Sequence, residues 1–261
     1  MKQIRQYLKD GTLDMSEVPL PSFGPGDVLV RTHFSFVSVG TEKMKVTQAR
    51  MNLAEKAAER PDQVKQVLST LKEQGLIPTV RKVQEKLKAP TTLGYSCAGV
   101  VAAVGSQVDE FRVGDRVAVI GEGVATHAEY NTVPRNLCVL VPEGVSLDHA
   151  SCSAVGAIAL QAVRQAKLEL GETVAVIGLG LLGQFLVQLC RANGCRVLGI
   201  DPDTSKHALA LAGGADAACG PDLESALSGA LRLSGGQGVD CVNQPHLRSL
   251  ILMSRIGDVF E

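Results

Sequence analysis

Three glycines, Gly178, Gly180 and Gly183, stand at G-x-G-x-x-G spacing, and a carboxylate, Asp201, follows at the far end of the next apolar run. Each residue type suits one task in holding a dinucleotide. Gly178 permits a tight strand-to-helix turn, Gly180 lets the backbone come close to a pyrophosphate, and Gly183 lets the helix pack hard on the strand. The backbone from Gly178 through Leu179, Gly180, Leu181 and Leu182 to Gly183 would cradle the diphosphate. There the unpaired N–H groups and partial positive charge of a helix N-terminus favour an anion. Asp201, about 20 residues beyond the glycines, can accept hydrogen bonds from the adenosine ribose hydroxyls. Its charge would repel a 2′-phosphate, which favours NAD and makes NADP the lesser expectation, although Lys206 is near.

The elements that must position these groups are legible around them. Val174 to Ile177 is a continuous apolar run of the kind buried on both faces in a parallel sheet. Leu181, Phe185, Leu186 and Leu189 recur at helical intervals, Asn193-Gly194 ends that helix, and Arg196 to Ile200 reads as a second buried strand. Glycines alone at this spacing are weak, since a βαβ unit with a tight turn and no ligand would carry them too. The order strand, glycines, helix, strand, acid is what a dinucleotide site requires. The alternation continues with a helix over 205–212, a strand over 215–219, a helix over 223–233 and a strand over 238–242. LRSLILMS, near the end, would supply a strand or helix over the edge that this last strand exposes.

At 261 residues the chain suits one large domain or two ordinary ones. Its 45% hydrophobic content and net charge of −1 describe a globular protein with no global pull toward nucleic acid or an anionic membrane. MKQIRQYLKDG lacks the apolar stretch of a signal peptide, and the apolar text near 174–190 is broken by glycines and Gln184. Seven scattered cysteines, none in a C-x-x-C pair, read as buried reduced thiols and favour the cytoplasm. Before the dinucleotide stretch, residues 1–40 read as short strands punctuated by Pro19, Pro21 and Pro25-Gly26. DVLVRTHFSFVSVG gives two β-rich pieces, and Ser38 to Glu42 ends the second; a small barrel is expected. Residues 43–88 read as two or three amphipathic, locally basic helices, either solvated faces or a lid or docking surface for an acidic substrate or partner. Strand-like text resumes with LGYSCAGVVAAVG, FRVGDRVAVIG, ATHAEYNTVP and NLCVLVPEGVS. Pro142-Glu143-Gly144 marks a boundary, and a long helix carries Ala154 to Ala166.

GTE, GYSCAGVVAAVG, GDRV, HAEY, the alanine-rich helix and VAVIGLGLLG together resemble the medium-chain dehydrogenase/reductase superfamily, the alcohol dehydrogenase-like proteins. The likeness runs from residue 1 to about 242 apart from the helical insert. It is greatest to zinc-free dehydrogenase halves of bi-domain oxidoreductases. The resemblance implies an α/β chain in two domains: a GroES-like, partly open β-barrel over 1–145 with a helical insert at 43–90, then a Rossmann doubly wound parallel sheet over 146–261. Family members add two more strands with their helices, so the second domain is expected to be incomplete after about 242, as in a truncated version of a longer enzyme. They place the active site in the cleft between the domains.

The resemblance also implies where a catalytic metal would stand. Family zinc enzymes carry C-G-x-D and G-H-E motifs; here the matching text is Val39-Gly40-Thr41-Glu42 and Gly94-Tyr95-Ser96, with a third ligand falling near Ser153 or Ala154, beside Cys152. Valine cannot bind zinc and tyrosine is a poor substitute for imidazole, so no zinc is expected. The family's four-cysteine structural lobe is absent as well. Hydride transfer without a metal still needs a group to meet oxyanion charge and exchange a proton. Tyr95 stands at the metal histidine's position, with Ser38, Thr41 and Glu42 placed to orient it and His127 a further relay candidate. Tyr95 as an ordinary core residue and His127 as a satisfied histidine remain open alternatives. By resemblance alone, Val155 and Gly156 would face the nicotinamide. The expected function is zinc-independent hydride transfer between NAD(H) and a carbonyl, alcohol or activated double bond of a small-molecule substrate. The alternative is a non-catalytic NAD(H)-binding module, sensor or partner subunit. Expected partners are a second copy of the chain or a sugar-dehydrogenase-like domain. A nucleic-acid role is disfavoured by an aromatic content of 3%.

Overall fold

The computed structural model describes residues 1–7, 10–51, 55, 69, 75, 78, 89–246 and 249–253. It divides into two compact units, Met1–Ala154 and Val155–Glu261. The division falls after Ala154 rather than after residue 145. The short helix α2 (Leu147–Ala150) that follows the Pro-Glu-Gly turn packs Leu147 and Ala150 on Ala98 and Ala118 of the first unit. The helices expected across 49–88 lie largely outside the described residues, as does 254–261. Among the described residues no helix is long and apolar enough to cross a membrane.

The first unit is antiparallel. β1 (Lys2–Tyr7) pairs with β2 (Leu13–Glu17) and β4 (Pro90–Thr92) in a three-stranded sheet. β3 (Asp27–Ser35), β5 (Ser96–Val104), β6 (Arg116–Ile120), β7 (Tyr130–Pro134) and β8 (Cys138–Leu140) form a five-stranded sheet in the order β7-β3-β5-β6-β8. A Gln3–Ala128 bridge stitches the two sheets into the partly open GroES-like barrel. Alternate residues of β3, β5, β6 and β7 turn inward, so Val28, Val30, Val101, Val117, Val119 and Val133 fill one core. Two stretches differ from the sequence reading. β3 is one strand of nine residues, not two pieces, because register shifts at Leu29/Val30 and Thr32/Phe34 absorb its twist against β5. Gly40-Thr41-Glu42 does not end a strand but opens helix α1 (Val39–Arg50). Ser38 holds the N-cap position, its carbonyl takes the Glu42 N–H at 2.9 Å, and the Glu42 carboxylate reaches back to the Ser38 N–H at 3.2 Å.

The second unit alternates. Helix α3 (Ser153–Ala166) leads to β9 (Thr173–Ile177), α4 (Leu181–Ala192), β10 (Arg196–Ile200), α5 (Ser205–Ala212), β11 (Ala217–Cys219), α6 (Leu223–Ser234), β12 (Cys241–His246) and β13 (Ser249–Met253). The sheet order is β11-β10-β9-β12-β13. Its first four strands are parallel, the arrangement of a mononucleotide-binding half with its order reversing beside β9. The residues of SLILM do form a strand, β13, antiparallel to β12. Both faces of the sheet are buried, as the unbroken apolar runs require. Val174, Val176 and Val197 pack under α3 and α4 through Ala159, Ala162, Leu186 and Val187. Ala175, Leu198 and Ile200 pack under α6 through Ala226 and Ala230.

Candidate functional site

β9 delivers the chain into Gly178, whose φ of +95° only glycine adopts freely. Its N–H donates to the Ile200 carbonyl at 2.7 Å, which fastens the turn to the end of β10. A Cβ on Gly183 would overlap the Gly178 carbonyl, so the first turn of α4 sits directly on the strand's end. Gly180 is the N-cap of α4 and no side chain caps that end. The first N–H groups of a helix have no intrahelical acceptor. Here Gly180 and Leu181 are exposed, while Leu179 is buried. The arrangement fits a diphosphate: free donors, the positive end of a twelve-residue helix, and open space where a Cβ on Gly180 would stand.

Asp201 is more engaged than its expected ribose contact suggests. It is 4% exposed, and its Oδ2 accepts the Leu179 N–H at 2.7 Å while its Oδ1 accepts the Asp203 N–H at 2.8 Å. Lys206 Nζ stands 3.2 Å and 3.3 Å from the two oxygens. Burial by itself would raise this carboxyl. The Asp203 and Leu179 N–H groups and the Lys206 ammonium outweigh it and hold the carboxyl below its ordinary range. Asp201 therefore ties the glycine turn to β10, a structural task that sequence spacing does not reveal. Gln184 was also missed. Its Nε2 donates to the Leu179 carbonyl at 3.0 Å and the Lys206 carbonyl at 3.3 Å, and its buried Oε1 has no partner among the described residues.

In the first unit, two of the four residues with an expected catalytic role meet. His127 and Glu42, 85 residues apart in sequence, pair with Nε2 at 3.1 Å from both carboxylate oxygens; the side chains are 7% and 12% exposed. On the ring's other side Nδ1 lies 2.5 Å from Ser35 Oγ, a residue that the sequence did not single out. The backbone holds the ring in place: the His127 N–H donates to the Leu93 carbonyl and its carbonyl accepts the Ile4 N–H, both at 2.9 Å. One residue earlier, the buried Asn131 amide accepts from Thr126 N–H and Oγ1 at 3.0 Å and 2.8 Å and donates to Thr32 Oγ1 at 3.0 Å. Gly94, at φ +94°, leaves the room: a Cβ there would lie 2.9 Å from His127 N and 3.0 Å from its Nδ1.

The remaining expected residues are not drawn into this cluster. Thr41 Oγ1 accepts from Ser38 Oγ at 3.3 Å. The Tyr95 side chain, half-buried, makes no hydrogen bond among the described residues; its carbonyl accepts the Gly121 N–H at 2.9 Å. Val155, near the start of α3, is 2% exposed and Gly156 is half-buried. Val39 points largely into solvent. No group of three or more potential ligands gathers to hold a metal among the described residues. The seven thiols are all free, and burial pushes Cys97 and Cys190 up to about 12, which keeps them protonated and removes them as nucleophiles.

Comparison with known proteins bears on the fold. Residues 64–143 match the alcohol dehydrogenase GroES-like domain family. D-guloside 3-dehydrogenase of Escherichia coli is 33% identical over 154 residues, 58% of this chain and 43% of that protein. A probable quinone oxidoreductase of Schizosaccharomyces pombe is 34% identical over 156 residues, 58% of this chain and 46% of that protein. The quinone oxidoreductase of Escherichia coli, solved in complex with NADPH, superposes with a TM-score of 0.69 at 17% identity, covering 93% of this chain and 65% of that one. The chain is thus similar, over these spans, to proteins of the alcohol dehydrogenase-like class. It spans less than half the length of either curated relative.

Proposed function

We propose that this chain is a zinc-independent oxidoreductase of the medium-chain dehydrogenase/reductase kind that passes a hydride between NAD(H) and a carbonyl, alcohol or activated double bond of a small molecule. The observation that carries the reading is the uncapped, exposed N-terminus of α4 behind a glycine turn whose Gly183 admits no side chain. A bound nicotinamide would supply the hydride acceptor or donor. The chain's own contribution is to fix the diphosphate on the N–H groups from Gly180 to Gly183 and to place the Asp201 carboxylate at the end of β10. Asp201 Oδ1 and Oδ2 already hold two backbone N–H groups, so a ribose hydroxyl would enter at the expense of Lys206, the most distant partner. The negative charge supports NAD over NADP, with Lys206 the residue to watch, since it could turn to a 2′-phosphate.

Zinc independence rests on donor chemistry: valine offers no ligand atom, and a phenol and a carboxylate make a poor set for zinc. The buried His127–Glu42 pair supplies a proton-handling group in the same unit without a metal. A reducing compartment such as the cytoplasm suits seven free thiols. Calorimetry with NADH and NADPH, metal analysis of the purified protein, and turnover against quinones, enones and sugar aldehydes test the reading together. Saturable NADH binding, turnover on at least one acceptor and no stoichiometric zinc are expected. Saturable binding with no turnover on any acceptor would point instead to an NAD(H)-binding module. Tightly held zinc would remove the metal-free part of the account.

A further inference from the structure

Beside β7, the outer strand of the five-stranded sheet, the first unit holds a cavity of about 210 Å³. Tyr130, Asn131 and Thr132 of that strand line it, together with Thr126 from the preceding loop and Gln3 from β1. The pairing with β3 decides what the strand offers there. The Thr32 N–H donates to the Glu129 carbonyl at 2.9 Å, one step beyond the Arg31–Tyr130 pair of the ladder. In an antiparallel pair only alternate residues exchange hydrogen bonds. Positions 129, 131 and 133 therefore bond to β3, and the backbone N–H and C=O groups of Tyr130 and Thr132 point to the open edge, without a partner among the described residues. The hydroxyl of the half-buried Tyr130 side chain has none among them either. The wall behind these groups is firmly held. Asn131, 4% exposed, accepts from Thr126 N–H and Oγ1 at 3.0 Å and 2.8 Å and donates to the Thr126 carbonyl at 3.0 Å. Thr126 has thus given its hydroxyl proton away and keeps lone pairs to accept with, and Thr132 Oγ1 does the same through the Ser22 carbonyl at 3.2 Å. No lining side chain carries a charge, and the Met1 ammonium is taken by the Val18 carbonyl at 2.7 Å.

We propose that this cavity binds a small neutral polyhydroxy compound, a monosaccharide or short polyol. Its volume lies below the roughly 300–1,000 Å³ of sites for drug-sized ligands, which leaves room for a single sugar ring. A charged ligand would leave water for a wall that offers no counter-charge. An apolar ligand would cover backbone groups that have no other partner. A polyol both donates and accepts at every hydroxyl. It meets donors at the Tyr130 and Thr132 N–H groups and acceptors at their carbonyls and at Thr126. An extended peptide, the other usual occupant of a strand edge, is shut out at both ends. β1 crosses at the Gln3–Ala128 bridge, and Ser22 is tied across Thr132. Ser35, Glu42 and His127 do not line the cavity, and the site is independent of the hydride-transfer reading.

The test is an NMR titration of the full nitrogen-labelled chain with D-glucose, in the absence of any dinucleotide. The backbone amide resonances of Tyr130 and Thr132 are expected to shift and to saturate in the millimolar range, as suits a ligand of about twelve non-hydrogen atoms. Tyr130→Phe keeps the ring and removes one hydrogen-bonding group, and binding should weaken about 5-fold at unchanged melting temperature. D-glucuronate, the same ring with a carboxylate, should bind the wild type about 10-fold more weakly than glucose. Shifts that never saturate, saturating shifts confined to residues outside the cavity, equal affinity in Tyr130→Phe, or glucuronate binding as tightly as glucose each overturn the proposal. The glucuronate comparison uses the unaltered chain, so it decides the matter without the variant. Failure to bind NADH would remove the oxidoreductase reading and leave this site standing, since no dinucleotide enters the titration.

Discussion

The two units of this chain carry function in opposite ways. In the second, every group proposed to hold a diphosphate lies within a single stretch from Thr173 to Asp201, and the glycine spacing translates directly into a turn, a helix end and a carboxylate. In the first, the hydrogen-bonded side chains at positions 35, 42 and 127 come from β3, α1 and the loop before β7, and meet only once the unit is folded. A local motif is fixed by backbone geometry, so positions such as Gly178 and Gly183 admit little but glycine. A long-range cluster is fixed by packing, and its members are interchangeable until the fold brings them together.

That contrast can be broken where it is steepest. Gly183→Ala drives a methyl into the Gly178 carbonyl, and the predicted cost is large for one carbon, about 3 kcal/mol from overpacking against backbone that cannot yield. Denaturant unfolding followed by circular dichroism measures it, and a loss under about 0.5 kcal/mol would mean that the turn relaxes easily. The matching change in the first unit, Gly94→Ala, meets His127 rather than a backbone carbonyl alone. It should displace the ring from Ser35 and lower turnover at least 10-fold with a smaller loss of stability. Turnover unchanged in a folded Gly94→Ala protein would separate the cluster from catalysis.

A smaller effect sharpens the electrostatic side of the comparison. Asp201 is held below its ordinary range in the folded chain, so the stabilisation it gives is present above the unfolded carboxylate's pKa, near 4. It is lost as pH falls through the lowered folded-state value. Asp201→Asn removes the charge but keeps one acceptor, and should cost about 1–3 kcal/mol at neutral pH. It should also flatten the stability profile between about pH 5 and pH 3. Melting curves across that range decide the matter; an unchanged acid limb would show that Leu179 and Asp203 do not depend on the ionised form.

Much of the second unit was legible because period and punctuation agree there. Unbroken apolar runs mark strands buried on two faces, and the glycines and Asp201 punctuate them in order. What stayed hidden is who holds whom. The bond from Leu179 N–H to Asp201, and Gln184 bridging Leu179 and Lys206, join residues whose types fit many other roles. In the first unit the barrel was readable from alternation, but Val37 and Val39 look like strand text and concealed that Ser38 and Glu42 open a helix. His127 was visible as a candidate, whereas Ser35 was one hydroxyl among several. No spacing rule links positions 92 residues apart, and Asn131, which fixes Thr126 beside His127, carries no signal of its own.

The central claim is that a dinucleotide lies with its diphosphate on the turn from Gly178 to Gly183, and Gly180 is the place to ask. Its φ of −70° is open to any residue and a Cβ there meets no protein atom within 4 Å, so Gly180→Ala should fold as the wild type does. The same methyl would stand where the phosphates approach. Titration calorimetry with NADH is predicted to show saturable binding to the wild type and at least 10-fold weaker binding to Gly180→Ala, at equal melting temperature. Equal affinity in the two proteins, or no heat from either, would contradict the account.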